Sequence, residues 1–215
     1  MRLLDHWLDL LYPPKCAFCR KLTDDGRMIC PDCERKLPFP TVERQRKNVE
    51  ALDLCVSVLY YTGDVRQSLH RYKFGGAAAY CRIYGELMAE CMRQHGIRAD
   101  CVTWTPLSRQ RLRKRGYDQA MLLAREVAER VNLPCLRLLW KTRNNPAQSG
   151  TKSAAERRSN VSGVYRASPE ADGCRILLID DIVTTGSTLS EAAKVLRAAG
   201  AKSVTALTLA KAEEN

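Results

Sequence analysis

Residues Ile176 to Thr188, ILLIDDIVTTGST, constrain this chain more than any other stretch. Ile176, Leu177, Leu178 and Ile179 are an unbroken apolar run, the pattern of a strand buried on both faces of a parallel sheet. Two adjacent carboxylates, Asp180 and Asp181, follow where such a strand should end. Thr184, Thr185, Gly186, Ser187 and Thr188 then lead into a segment whose Leu189, Ala192, Ala193 and Leu196 recur at helical spacing. Strand, acidic pair, hydroxyl-rich turn and helix together predict an α/β fold.

Each part has a chemical use. Backbone N–H groups of a turn rich in Gly, Ser and Thr, backed by a helix N-terminus, make an anion site, and the hydroxyls add donors to phosphate oxygens. Two carboxylates beside that site would repel a phosphate. They suit sugar hydroxyls, or a hard divalent cation such as Mg2+ that keeps its waters. A sugar carrying a phosphate satisfies both halves at once. The alternative is a doubly wound domain that carries acidic residues at a strand end for another purpose, as receiver domains do.

At every position Ile176–Thr188 resembles the phosphoribosyl-pyrophosphate (PRPP) motif of the type I phosphoribosyltransferases. The resemblance implies that Asp180 and Asp181 hold the ribose 2′- and 3′-hydroxyls as the catalytic pair. It also implies that Thr184, Thr185, Gly186, Ser187 and Thr188 wrap the 5′-phosphate.

The chain has 215 residues, room for one α/β domain and a small module. No run approaches 18 apolar residues, so no membrane insertion is expected. Asp5 and Asp9 interrupt the apolar N-terminus, which predicts an amphipathic helix (Leu3, Leu4, Trp7, Leu8, Leu11) rather than a signal peptide, and hence a cytoplasmic protein. Net charge is +11, and residues 109–158 hold 13 Lys/Arg against 4 Asp/Glu. That concentration points to a polyanionic ligand: pyrophosphate, nucleic acid or both.

Cys16, Cys19, Cys30 and Cys33 form two C-x2-C pairs separated by ten residues. Such pairs can close a tetrahedral site, so these four are the expected ligands of a structural Zn2+. Two disulfides or a redox motif are the alternatives, the first disfavoured by a reducing compartment and the second by the doubled pattern. Cys55, Cys81, Cys91, Cys101, Cys135 and Cys174 read as small core residues.

The expected organisation is a zinc-ribbon-like module with its N-terminal helix over residues 1–42, a polar linker Glu43–Glu50, and an α/β domain over 51–215. Strands are expected at Ala51–Tyr61, Cys101–Thr105, Leu136–Trp140 and Lys202–Leu209, with helices at Asp64–Tyr72, Tyr80–Gln94 and Ala120–Val131. Ser108–Arg115 carries Arg109, Arg111, Arg113, Lys114 and Arg115, too many charges to bury, so it is either a solvated turn or an anion-binding segment. Lys141–Asn160 is polar and aperiodic, the signature of a functional or mobile loop.

The whole chain from about Pro14 onward resembles the ComF/GntX-like family of phosphoribosyltransferase-related proteins, associated with competence and DNA uptake in bacteria. The four cysteines, Tyr72-Lys73-Phe74-Gly75, Pro106 to Arg115, Gly116-Tyr117-Asp118-Gln119-Ala120 and the later Arg143, Gln148, Arg157 and Asn160 carry that resemblance. It implies a type I phosphoribosyltransferase-like parallel sheet flanked by helices. Pyrophosphate and lid contacts would come from Arg109, Arg111, Arg113, Arg115, Arg143 and Arg157, with Mg2+ accompanying PRPP or ribose 5-phosphate. Two functions follow: phosphoribosyl transfer with release of pyrophosphate, a glycosyltransferase reaction, or non-catalytic handling of single-stranded DNA with a helicase partner. No residue set reads an acceptor base, and the zinc module is the only sequence outside the core from which an acceptor hood could be built.

Overall fold

The structure is a computed structural model that describes residues 14–23, 26–142 and 163–213. The amphipathic N-terminal segment and Arg143, Gln148, Arg157, Arg158 and Asn160 lie outside the described residues. In chain order the strands are β1 (Leu54–Tyr60), β2 (Cys101–Trp104), β3 (Leu139–Lys141), β4 (Tyr165–Ala167), β5 (Arg175–Val183) and β6 (Ser203–Lys211). The α-helices are α1 (Pro31–Lys36), α2 (Val42–Gln45), α3 (Gly63–Phe74), α4 (Cys81–Gln94), α5 (Arg109–Arg115), α6 (Gln119–Val131) and α7 (Ser187–Ala198).

β1, β6, β5 and β2 pair in that order, all parallel, with Ile176 opposite Val204 on one side and Cys101 on the other. Ile176 to Ile179 are at most 1% exposed, which for each side chain contributes about 1.5–3 kcal/mol relative to exposure. Alternate residues of β5 serve two cores. Leu177 and Ile179 join α3, α4, α6 and the cysteine knuckle, whereas Ile176 and Leu178 join α7 and the β3–β4 ribbon.

Three expectations shift. β5 runs on through both carboxylates to Val183, because Asp180, Ile182 and Val183 stay in register with Thr208, Ala210 and Lys211 of β6. Leu136–Trp140 does not form a strand of the main sheet. Cys135 makes a single parallel bridge to Val102, Leu138 N–H donates to Thr103 Oγ1, and the chain then leaves as β3 to pair antiparallel with β4. Glu43–Glu50 is structured rather than a loose linker. It contains the end of α2, Arg46 bridges Val56, Lys47 N–H donates to the Cys55 carbonyl, and Val49 is buried.

Candidate functional site

The pleat of β5 sends its two carboxylates to opposite faces of the sheet. Asp181 continues the Leu177–Ile179 face and meets α3, where Lys73 Nζ lies 2.9 Å from its Oδ1. The Arg115 charge also acts on this side. Its guanidinium is half-buried, 4.8 Å from the Phe74 ring centre, and donates to Gln119 Oε1 at 2.8 Å. Asp180 continues the Leu178 face toward β3 and β4. Its Oδ1 accepts from the Asp181 backbone N–H at 2.8 Å. Burial and the neighbouring Asp181 carboxylate push Asp180 up to about 7, against the pull of that N–H, the Thr105 side chain and Lys73.

On Asp180's side, Lys141 lies over the Tyr165 ring at 5.3 Å, and burial holds its ammonium below the usual lysine range. The Asp180 carboxylate acts on both Lys141 and Tyr165, and so does the Arg111 charge. Four cations, Lys73, Arg111, Arg115 and Lys141, therefore surround the strand end. Such a gathering of partly buried positive charge is expected where a highly charged anion docks.

The loop after β2 is fixed by Asp118. Its carboxylate caps α6 by accepting from Met121 N–H at 3.3 Å and also accepts from Leu107 N–H at 2.9 Å. Ser108 caps α5, and Gly116 ends it in the left-handed region at φ 81°. Arg109, Arg113 and Lys114 project into solvent, while Arg111 and Arg115 are partly buried. The expected anion-binding segment is thus a helix that turns two of its arginines inward.

After β5 the chain turns through Thr184 and Thr185 to Gly186, which caps α7 at φ 82°. A Cβ there would meet Val49 Cγ2 at 2.8 Å, so glycine is needed for the backbone conformation and for the close packing. Thr185 Oγ1 and Ser187 Oγ lie 2.8 Å apart. No acidic side chain occupies the first turn of α7, which leaves its positive end and N–H groups to face an anion. Asp180 and Thr184 to Thr188 line one shared cleft. A larger cleft lies elsewhere, about 520 Å3 between the cysteine module and α4, lined by Ile29, Leu37, Phe39, Ile83 and Leu87 among others. It holds none of the acidic or hydroxyl groups described above.

The sulfurs of Cys16, Cys19, Cys30 and Cys33 lie within 4.8 Å of one another, with Cys19 and Cys30 at 3.6 Å. Four sulfurs at about 2.3 Å from a tetrahedral zinc stand about 3.8 Å apart, so the set fits Zn2+ with little adjustment. Cys30 Sγ also accepts from Cys33 N–H, a contact that orients it within the set.

Residues 114–215 match the phosphoribosyl transferase domain family, and residues 7–46 match the double zinc ribbon domain. Competence protein ComFC of Bacillus subtilis is 32% identical over 214 residues, covering 94% of this chain and 87% of that protein. The chain belongs to the ComF family. Other relatives are competence protein F of Haemophilus influenzae (26% identical; 93% of this chain and 85% of that protein) and the DNA utilization protein YhgH of Salmonella typhimurium (27%; 94% and 89%). Among solved structures, glutamine PRPP amidotransferase from B. subtilis aligns at 25% identity and a TM-score of 0.42, over 60% of this chain and 25% of that one. The ComF chain is thus a type I phosphoribosyltransferase fold preceded by a zinc ribbon domain with four cysteines. No described helix is long and apolar enough to cross a membrane.

Lys73, Lys141 and Tyr165 are site neighbours to which sequence reasoning assigned no role. Lys73 stood in a stretch carrying the family resemblance, but nothing local ties it to a carboxylate more than a hundred positions away. Lys141 opens the long polar segment Lys141–Asn160, and the structure makes it the last residue of β3.

Proposed function

We propose that this ComF-family protein binds PRPP or ribose 5-phosphate at the carboxyl end of β5 and transfers the phosphoribosyl group with release of pyrophosphate. One observation carries this: Asp180 and Asp181 run directly into an α7 N-terminus free of acidic residues, and Lys73, Arg111, Arg115 and Lys141 gather round them. The proposal assigns residues 1–42 to the zinc module and 51–215 to the transferase domain.

The roles follow from charge. Thr184, Thr185, Gly186, Ser187 and Thr188 take the 5′-phosphate through N–H groups and hydroxyls. Asp180 and Asp181 accept from the ribose hydroxyls and stabilise the positive charge that develops on the ring as the C1–oxygen bond breaks. Lys73, Arg111 and Arg115 take up the negative charge of the departing pyrophosphate, with Arg109, Arg113, Arg143 and Arg157 as further contacts at the rim and lid. An acceptor nitrogen forms the new bond to C1 from the opposite face and loses its proton to solvent. Asp180 and Asp181 would be the residues to hold a Mg2+ that accompanies the ligand, and the ion would supply neutralisation of the pyrophosphate charge. The test is pyrophosphate release from PRPP against a panel of purine, pyrimidine and smaller amine acceptors. Release that disappears in Asp180→Asn supports transfer. Silence with every acceptor would leave a binding protein.

A second reading rests on the outward face of the ribbon. Trp140 stands opposite Arg166, with the Arg137 and Arg166 guanidinium carbons each 5.7 Å from its ring centre, and the exposed cations of α5 lie on the same chain segment. An aromatic among cations suits single-stranded nucleic acid, and the relatives' names speak of competence and DNA utilization. In this reading the protein handles single-stranded DNA in the cytoplasm with a helicase partner. Oligonucleotide affinity that falls steeply with salt supports it, and no binding at low salt removes it.

A further inference from the structure

The four-cysteine module does more than sit beside the transferase domain. Cys16 and Ala17 are fully buried and Phe18 is 1% exposed, all within the core that also contains α3, α4 and the sheet. A knuckle buried this way must find partners for its backbone carbonyls. Those of Ala17 and Phe18 point at α3. Ser68 Oγ donates to the Ala17 carbonyl, and Arg71 Nη2 donates to both, at 3.0 and 2.5 Å. Phe18 packs against Tyr84 on α4, whose hydroxyl lies 2.5 Å from Ser68 Oγ.

Arg71 is unusual. Its Nε is buried and has no hydrogen-bond partner among the described residues, and the partners found for its Nη2 are two neutral carbonyls rather than a carboxylate. A guanidinium without a counter-charge is costly to bury. Both carbonyls belong to the two residues between Cys16 and Cys19. Four thiolates around one Zn2+ carry a net negative charge, so the loaded knuckle offers Arg71 the counter-charge that no carboxylate among the described residues is seen to give it.

The next three residues of the helix reach the functional site. Tyr72 donates to the Gln119 carbonyl at 2.9 Å, and Tyr117 donates to the Tyr72 carbonyl. Lys73 pairs with Asp181 at 2.9 Å, and Phe74 lies under Arg115. Lys73 follows Arg71 by two residues, about 200° round the helix, so the knuckle and Asp181 grip α3 from opposite sides.

We propose that Arg71 is a positioning residue that couples the zinc knuckle to the ribose-phosphate site, so that the metal-loaded knuckle holds the last turn of α3 with Lys73 against Asp181. Zinc occupancy then sets ligand affinity, and by reciprocity the ligand sets the rate of zinc loss. The ligand half of this statement rests on the proposed PRPP site, and the mechanical half does not.

The experiment combines three readouts on the full-length, zinc-loaded protein, on Arg71→Ala, Arg71→Lys and Lys73→Ala, and on the Arg71→Ala/Lys73→Ala double variant. These are calorimetric affinity for Mg2+–PRPP, the rate of zinc transfer to a chromogenic chelator, and amide hydrogen exchange in residues 71–75. Arg71→Ala should weaken PRPP about tenfold or more, the scale of losing hydrogen bonds from a buried charge. Arg71→Lys should recover part of that loss, and the double variant should be little worse than Lys73→Ala alone. PRPP should slow zinc loss from the parent and not from Arg71→Ala. Losses that simply add, or an Arg71→Ala protein that binds PRPP within twofold of the parent, would overturn the coupling. If the parent binds no PRPP, the ligand reading fails and amide exchange decides the coupling. Faster exchange at 71–75 on zinc removal upholds it, and unchanged exchange overturns it.

Discussion

Asp180 shows at the scale of one residue how a binding site costs stability. Its carboxyl is pushed to about 7 by burial and by Asp181, whereas the unfolded chain releases the same proton near 3.8. Between those values the folded protein holds a proton that the unfolded chain has lost, so the contribution of Asp180 to stability falls as pH rises through that window. Asp180→Asn should therefore melt higher than the parent at pH 8, with the gain shrinking toward pH 5. Equal melting shifts at both pH values would contradict the burial of this charge. Gly186 makes the opposite point. Its φ of 82° and the 2.8 Å approach of Val49 leave no room for a methyl group, so Gly186→Ala should cost about 1–3 kcal/mol in chemical unfolding. The motif residues were legible because their chemistry is local. Lys73 was not, because its partner is brought to it only by the sheet.

Among the elements, α3, α4, α6 and α7, the strands β1, β2 and β6, and the apolar start of β5 form where their patterns place them. The two misread strands share one cause. Strand ends depend on neighbouring strands rather than on propensity, so β5 is longer than its apolar run because β6 continues beside it, and β3 is shorter than Leu136–Trp140 because the main sheet releases it after a single bridge. The loop after β2 is similarly held by an acid eleven residues downstream. Asp118 both caps α6 and anchors Leu107 N–H, so Asp118→Ala should lose about 1–2 kcal/mol from the cap and loosen that loop. Thermal unfolding reads the first effect, and weaker pyrophosphate inhibition of ligand binding reads the second.

Two modules are visible in the cysteine spacing and the PRPP motif, but their union is not. Phe18, Cys30 and Cys33 share one core with Leu177 and Ile179 of β5, and the segment between the modules is fastened to β1 and to Gly186. Calorimetric unfolding of the zinc-loaded protein should accordingly show one cooperative transition, and a chelator should lower its midpoint as a whole. Two separated transitions, with only the earlier one sensitive to chelator, would contradict a shared core. The central claim for the whole molecule remains the ligand at the end of β5. The measurement that tests it most directly is calorimetric titration of Mg2+–PRPP into the parent protein and into the Asp180→Ala/Asp181→Ala double variant. Saturable binding by the parent with one site, lost in the variant while its fold is retained, is the predicted result. Absence of binding by the parent, or equal binding by both, would contradict it.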